Sequence, residues 1–133
     1  MKKFIPHIAT LEIPVTNLQK SLEWYLDIFE LKIHFKGEKN AMLIFESKGV
    51  PSIFLVETEE QQCLSFKNTN NEIVHSVIDF YSPSLSDFYA WLKEKNVEVG
   101  TLNIDPNHGF GGFGFKDPDG NLLGATNVLH PGQ

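Results

Sequence analysis

The 133 residues suffice for one ordinary domain, and 41% hydrophobic content with 12% aromatic supplies a real core, which excludes a disordered chain. Eleven Lys and Arg against seventeen Asp and Glu leave a formal charge of -6, which repels phosphate backbones and anionic lipid and argues against nucleic-acid and membrane partners. A single cysteine, Cys63, excludes an internal disulfide or a paired-cysteine site, and no nearby base marks it as a nucleophile.

Behind MKKF the apolar stretch is cut by Pro6, His7 and Glu12, too short and polar for a signal-peptide core, so a cytoplasmic compartment is expected. In IATLEIPV, Ala9, Leu11, Ile13 and Val15 alternate with Ile8, Thr10, Glu12 and Pro14, the period of a strand with two faces. The apolar set is expected under a helix, with Thr10 and Glu12 on the opposite face. Asn17 suits an N-cap, and Leu18, Leu22, Tyr25 and Phe29 form one helical stripe. A turn at Gly37 to Asn40 and another at SKGV divide the extended runs that follow, so the first half, about 7–58, reads β-α-β-β-β.

Residues 59–72 (EEQQCLSFKNTNNE) are polar and aperiodic and read as a connector, or a flap, between halves. The second half, about 73–129, begins at IVHSVIDF, where Ile78 and Phe80 take core positions and His75 and Val77 share the face of Thr10 and Glu12. A helix is predicted from about Leu85 to Lys95, with Leu85, Phe88 and Leu92 inward, then strands around VEVGTL, GFGFK and NLLGATN. In DPDG, Pro118 and Gly120 suit a hairpin turn, so Asp117 and Asp119 read as turn formers.

The halves repeat. An offset of 65 pairs Thr10 with His75 and Ile13 with Ile78; after a two-residue insertion an offset of 67 pairs Asn17 with Ser84 and Leu18 with Leu85. Two similar sheets facing one another imply a cavity between them. GFGGFG (109–114) fits a phosphate-cradling pattern only by letter, because it runs into a hairpin and not a helix. Alternation instead points Phe113 and Phe115 into the core and leaves Gly112 and Gly114 on a cavity wall with room for a bulky, flat ligand. The five histidines, His7, His34, His75, His108 and His130, show no metal-binding spacing.

The run IPVTNLQKSLEWYLDIFELK, then HSVIDF, then FGGFGFKDPDGNLLGATN resembles the vicinal oxygen chelate superfamily, which includes glyoxalase I, bleomycin-resistance proteins, fosfomycin-resistance enzymes and extradiol dioxygenases. The resemblance covers nearly the whole chain and is specific for a fold rather than an activity. It implies a single α+β domain of two βαβββ modules whose curved mixed sheets surround a cavity, with divalent-metal ligands at four equivalent places. Those places fall on Thr10, His75, Phe54 and Gly124, and only His75 is a ligand type. A catalytic divalent site needs about three protein ligands, so no metal cofactor is expected. His75 is the weak metal candidate, and Glu12, or Glu57 with the strand phase shifted by one, would have to substitute for the missing ligands.

One implied function is metal-free binding of a small molecule, similar to bleomycin-resistance proteins, in a cavity lined by Thr10, Glu12, Phe54, His75, Gly112, Gly114 and Gly124. The acidic balance suits a cationic or neutral guest. The alternative is a metal-dependent lyase, isomerase or dioxygenase, or an acid-base catalyst using Glu12 and His75. A third reading is an interaction domain whose cavity is filled by Phe54, Phe110, Trp24 and Trp91. Exposed strand edges predict a homodimer.

Overall fold

The alternation at the start of the chain becomes β1 (Thr10–Val15) in the computed structural model, which describes residues 3–133. Ile13 and Val15 are buried while Glu12 is exposed. Asn17 caps α1 (Leu18–Phe29), its side chain accepting a hydrogen bond from the Lys20 N–H at 3.1 Å. The buried stripe of α1 is Leu18, Leu22, Tyr25 and Ile28, and the predicted Phe29 is only half-buried beside it. Then come β2 (Lys32–Lys36), β3 (Asn40–Ile44) and β4 (Ser52–Glu57), giving a four-stranded sheet in the order β1-β4-β3-β2. β1 and β4 run parallel and the other pairs antiparallel, a mixed sheet. Helix α1 packs on β4 and β3, covering Ile53, Leu55, Ala41 and Leu43, all at 0% exposure. Each large apolar side chain so buried is worth about 1.5–3 kcal/mol against leaving it in water.

The chain divides between Gln62 and Cys63 into two compact units. The second opens inside the segment 59–72, where the sequence predicted an aperiodic connector or flap. Phe66–Lys67 form β5 and pair with β6 (Val74–His75). Asparagine side chains close the turn: Asn68 Oδ1 accepts from the Asn70 N–H at 2.9 Å and Asn71 Oδ1 from the Ile73 N–H at 3.0 Å. Strands of two residues leave no periodicity to read, and Asx turns do the organising.

β7 (Ile78–Tyr81), α2 (Leu85–Glu94), β8 (Asn103–Ile104), β9 (Gly111–Lys116) and β10 (Leu122–Thr126) complete the second unit in the order β7-β10-β9-β8. β7 and β10 are parallel, as β1 and β4 are. The strand predicted around VEVGTL falls instead at Asn103–Ile104. Before it, Val99 bridges Phe115 and the Gly100 N–H reaches the Gly114 carbonyl at 2.8 Å. Under α2, Phe88 lies 5.9 Å from Phe113 and 5.7 Å from Phe115 between ring centroids, and Leu85 and Leu92 are buried.

The predicted DPDG turn is present. Gly120, at φ 85°, donates its N–H to the Asp117 carbonyl at 3.0 Å. Asp117 Oδ1 accepts from the N–H groups of Asp119 and Asn121, each at 2.9 Å, and Oδ2 from the Asn121 amide at 2.8 Å. Asn121 Oδ1 in turn holds the Leu64 N–H at 2.8 Å, tying the start of the second unit to this turn.

Candidate functional site

Alternation gives the second sheet two unlike faces. Phe113, Phe115, Leu123, Ala125 and Ile78 are buried on the side of α2, as the sequence predicted for the two phenylalanines. Gly112, Gly114 and Gly124 lie on the other, with Gly124 paired to Gly114 on one side and to Asp79 on the other. Together with His75, Ser76 and Asp79 they bound a pocket of about 370 Å³. An added side chain would meet close neighbours at two of these positions, backbone at Gly112 and a movable side chain at Gly124. A Cβ on Gly112 would stand 2.7 Å from the Ala125 carbonyl oxygen, and one on Gly124 would overlap the Asp79 carboxylate. The carboxylate thus lies in the space that position 124 leaves open, held by a hydrogen bond that Ser76 Oγ donates to Oδ1 at 2.9 Å.

Asp79 was missed by the sequence reading, which put His75 at the first-strand place of the second half. His75 is not on that strand. Ser76 and Val77 break the predicted run IVHSVIDF, and His75 sits on β6, its ring stacked on Phe66 at 5.1 Å between centroids and 11° between planes. The missed signal was the offset of 67 that aligns the helices. Carried back through the strands without an insertion, it sets Asp79 opposite Glu12, and the register agrees: Phe54 pairs with Glu12 as Gly124 pairs with Asp79.

Thr10, Glu12 and Phe54 belong to the first unit and share one face of its sheet. Phe54 has Glu12 beside it on β1 and Met42 on β3, and its ring lies 6.3 Å from that of Phe35. Glu57, the substitute ligand under a shifted phase, is committed elsewhere. Its Oε2 accepts the Leu18 N–H at the start of α1 at 2.8 Å, and its Oε1 meets Lys39 Nζ at 3.1 Å. The hydrogen bond from Leu18 and then the Lys39 ammonium hold the Glu57 carboxyl below its ordinary range, and the same pairing raises Lys39. Cys63 is exposed, its Sγ 3.4 Å from the Asp119 carbonyl oxygen. Trp91 and Phe110 pack against Phe88 and His108 respectively, and neither lines the glycine-floored pocket.

A divalent ion of the kind the resemblance implies does not fit this donor set. Phe54 and Gly124 offer no ligating side chain, Asp79 covers the position where a ligand on residue 124 would project, and His75 stands on the hairpin against Phe66. Among the described residues, no three His, Cys, Asp or Glu side chains gather closely enough to hold a metal.

With this geometry in hand, the comparisons agree on the fold. The metallothiol transferase FosB of Staphylococcus epidermidis is 29% identical over 99 residues, 74% of this chain. The chain spans 65% of that relative's length, just under two thirds. Among solved structures, the fosfomycin resistance protein FosX from Listeria monocytogenes is 16% identical with a TM-score of 0.69, covering 97% of this chain and 96% of its own. TnmS3, an antibiotic binding protein from Streptomyces sp. CB03234, is 17% identical with a TM-score of 0.70, covering 93% of this chain and 97% of its own. The family model described as the Glyoxalase/Bleomycin resistance protein/Dioxygenase superfamily matches residues 5–124, and the chain belongs to that superfamily.

Proposed function

We propose that the protein binds a small organic molecule over the glycine-floored face of its second sheet and needs no divalent metal to do so, as a sequestering protein rather than a metalloenzyme. The observation that carries this reading is the pocket itself, where Gly112, Gly114 and Gly124 remove side chains from the floor and His75, Ser76 and Asp79 supply a few polar groups. The lining is more polar than that of most ligand sites, which suits a guest with polar or charged groups, and about 370 Å³ falls at the small end of such sites. The antibiotic-binding and fosfomycin-resistance names of two structural neighbours support a drug-like guest.

A thermal-shift screen against flat, drug-sized compounds tests it. A saturable rise in Tm that is lost in Gly114→Leu, which fills the floor, is the expected result. Absence of any hit, or a hit that stabilises the variant equally, contradicts it.

The alternative is a metal-dependent or Glu12/His75 acid-base lyase, isomerase or dioxygenase, favoured by the 29% identity to a metallothiol transferase. Its metal-dependent form requires ligands from positions that here carry Phe54 and Gly124. We also infer a cytoplasmic homodimer with no nucleic-acid or membrane partner. The wholly exposed edge strand β2, with Ile33 and Phe35 each 45% exposed, supports self-association, and the charge of -6 opposes the polyanions. No helix among the described residues is long and apolar enough to cross a membrane.

A further inference from the structure

A second pocket, about 390 Å³, adjoins the glycine-floored one, and Asp79 and Thr126 bound both. Its remaining walls are Tyr81 on β7 and the segment after β10, with Val128, His130 and Gln133. That segment makes local hydrogen bonds. Thr126 Oγ1 accepts from the Val128 N–H at 3.1 Å, and Gln133 Oε1 accepts from the His130 N–H at 2.8 Å. The two pockets open on one face, because Asp79 and Tyr81 alternate with Ile78 and Phe80 along β7, as Gly124 and Thr126 do with Leu123 and Ala125 along β10.

At their junction the Asp79 carboxylate spends Oδ1 on Ser76, while Oδ2 has no hydrogen-bond or ion-pair partner among the described residues. No lysine lines either pocket and the chain contains no arginine, and Asp79 is the one acidic side chain among the lining residues, flanked by the imidazoles of His75 and His130. A carboxylate with an open oxygen on a floor of glycines favours a cation whose flat body can approach the backbone.

We infer that the guest of this face is an elongated organic cation: its charged group meets Asp79 where that carboxylate lies over Gly124, one flat arm covers Gly112 and Gly114, and the other enters the pocket of Tyr81 and His130. The inference rests on the small-molecule reading above and adds to it the guest's charge and a second subsite.

Amide-resolved NMR titration with benzamidinium, its neutral isostere benzamide, and the longer 4-benzyloxybenzamidinium tests both additions. Benzamidinium is expected to shift the Gly112, Gly114 and Gly124 amides and to bind at least about fivefold more tightly than benzamide, a difference that Asp79→Asn removes. The longer probe is expected to shift Val128 and His130 as well and to bind more tightly still, the gain disappearing in Tyr81→Ala while benzamidinium affinity stays. Equal binding of the charged and neutral probes, unchanged by Asp79→Asn, overturns the cationic guest yet leaves glycine-floor shifts in favour of a small-molecule site. A longer probe with no gain overturns the second subsite. No shift from any probe overturns the inference, and the compound screen then judges the small-molecule reading separately.

Discussion

Glu57 closes a strand and caps a helix with one carboxylate, reaching the Leu18 N–H and the Lys39 ammonium. Because its folded pKa is lowered, the unfolded chain takes up the proton more readily. Its stabilisation is therefore complete above the unfolded value, roughly pH 4.3, and is lost as pH falls through the lower folded one. Lys39 is raised, so its share is present below its ordinary value and lost as pH rises through the raised one. Glu57→Gln is expected to lower Tm at neutral pH by an amount that shrinks as pH falls through the lowered folded value; a gap that stays constant as the solution is acidified contradicts the assignment. Gly124 and Asp79 form a second coupled pair. Adding a methyl at 124 forces the carboxylate aside, so Gly124→Ala is expected to cost about 1–2 kcal/mol in urea unfolding, and less when Asp79 is also Ala. Additive costs in the double mutant would show that the two do not touch. Sequence alone named Gly124 but not its partner, since which side chain fills a glycine's space depends on strand register.

At the scale of elements, the turn Asp117–Asn121 carries more than its hairpin. Asp117, Asp119 and Asn121 are buried, at 5%, 4% and 0% exposure, and Asn121 anchors Leu64 from 57 residues away. Asp117→Ala is expected to destabilise by about 2–3 kcal/mol, since it strands two buried N–H donors and the Asn121 amide. Chemical denaturation measures this, and a loss within error of wild type would mean that water replaces the carboxylate. The long elements were legible in the sequence: the period-two run of β1, the cap at Asn17 and the DPDG turn each rest on local chemistry. The hairpin 66–75 was not, because a two-residue strand has no period, and losing it misplaced His75 by sending a continuous strand through Ser76 and Val77.

For the whole molecule, the repeated strand order β1-β4-β3-β2 and β7-β10-β9-β8 is the physical form of the sequence repeat, and it was readable because a repeat needs only pattern, not register. The chemistry did not follow from the fold, because one scaffold hosts many activities and the side chains that select among them, here Thr10, Phe54, His75 and Gly124, are set independently of it. A homodimer is expected to sediment at twice 15.1 kDa, and a monomer at micromolar concentration would remove that part of the account. The central claim is that this site takes an organic guest without a metal. Elemental analysis of purified protein, incubated separately with zinc, nickel, manganese, copper and ferrous ions and then desalted, addresses it most directly. A metal-free site predicts substoichiometric metal in every case, whereas one ion per chain that is lost in His75→Ala or Asp79→Asn would contradict it.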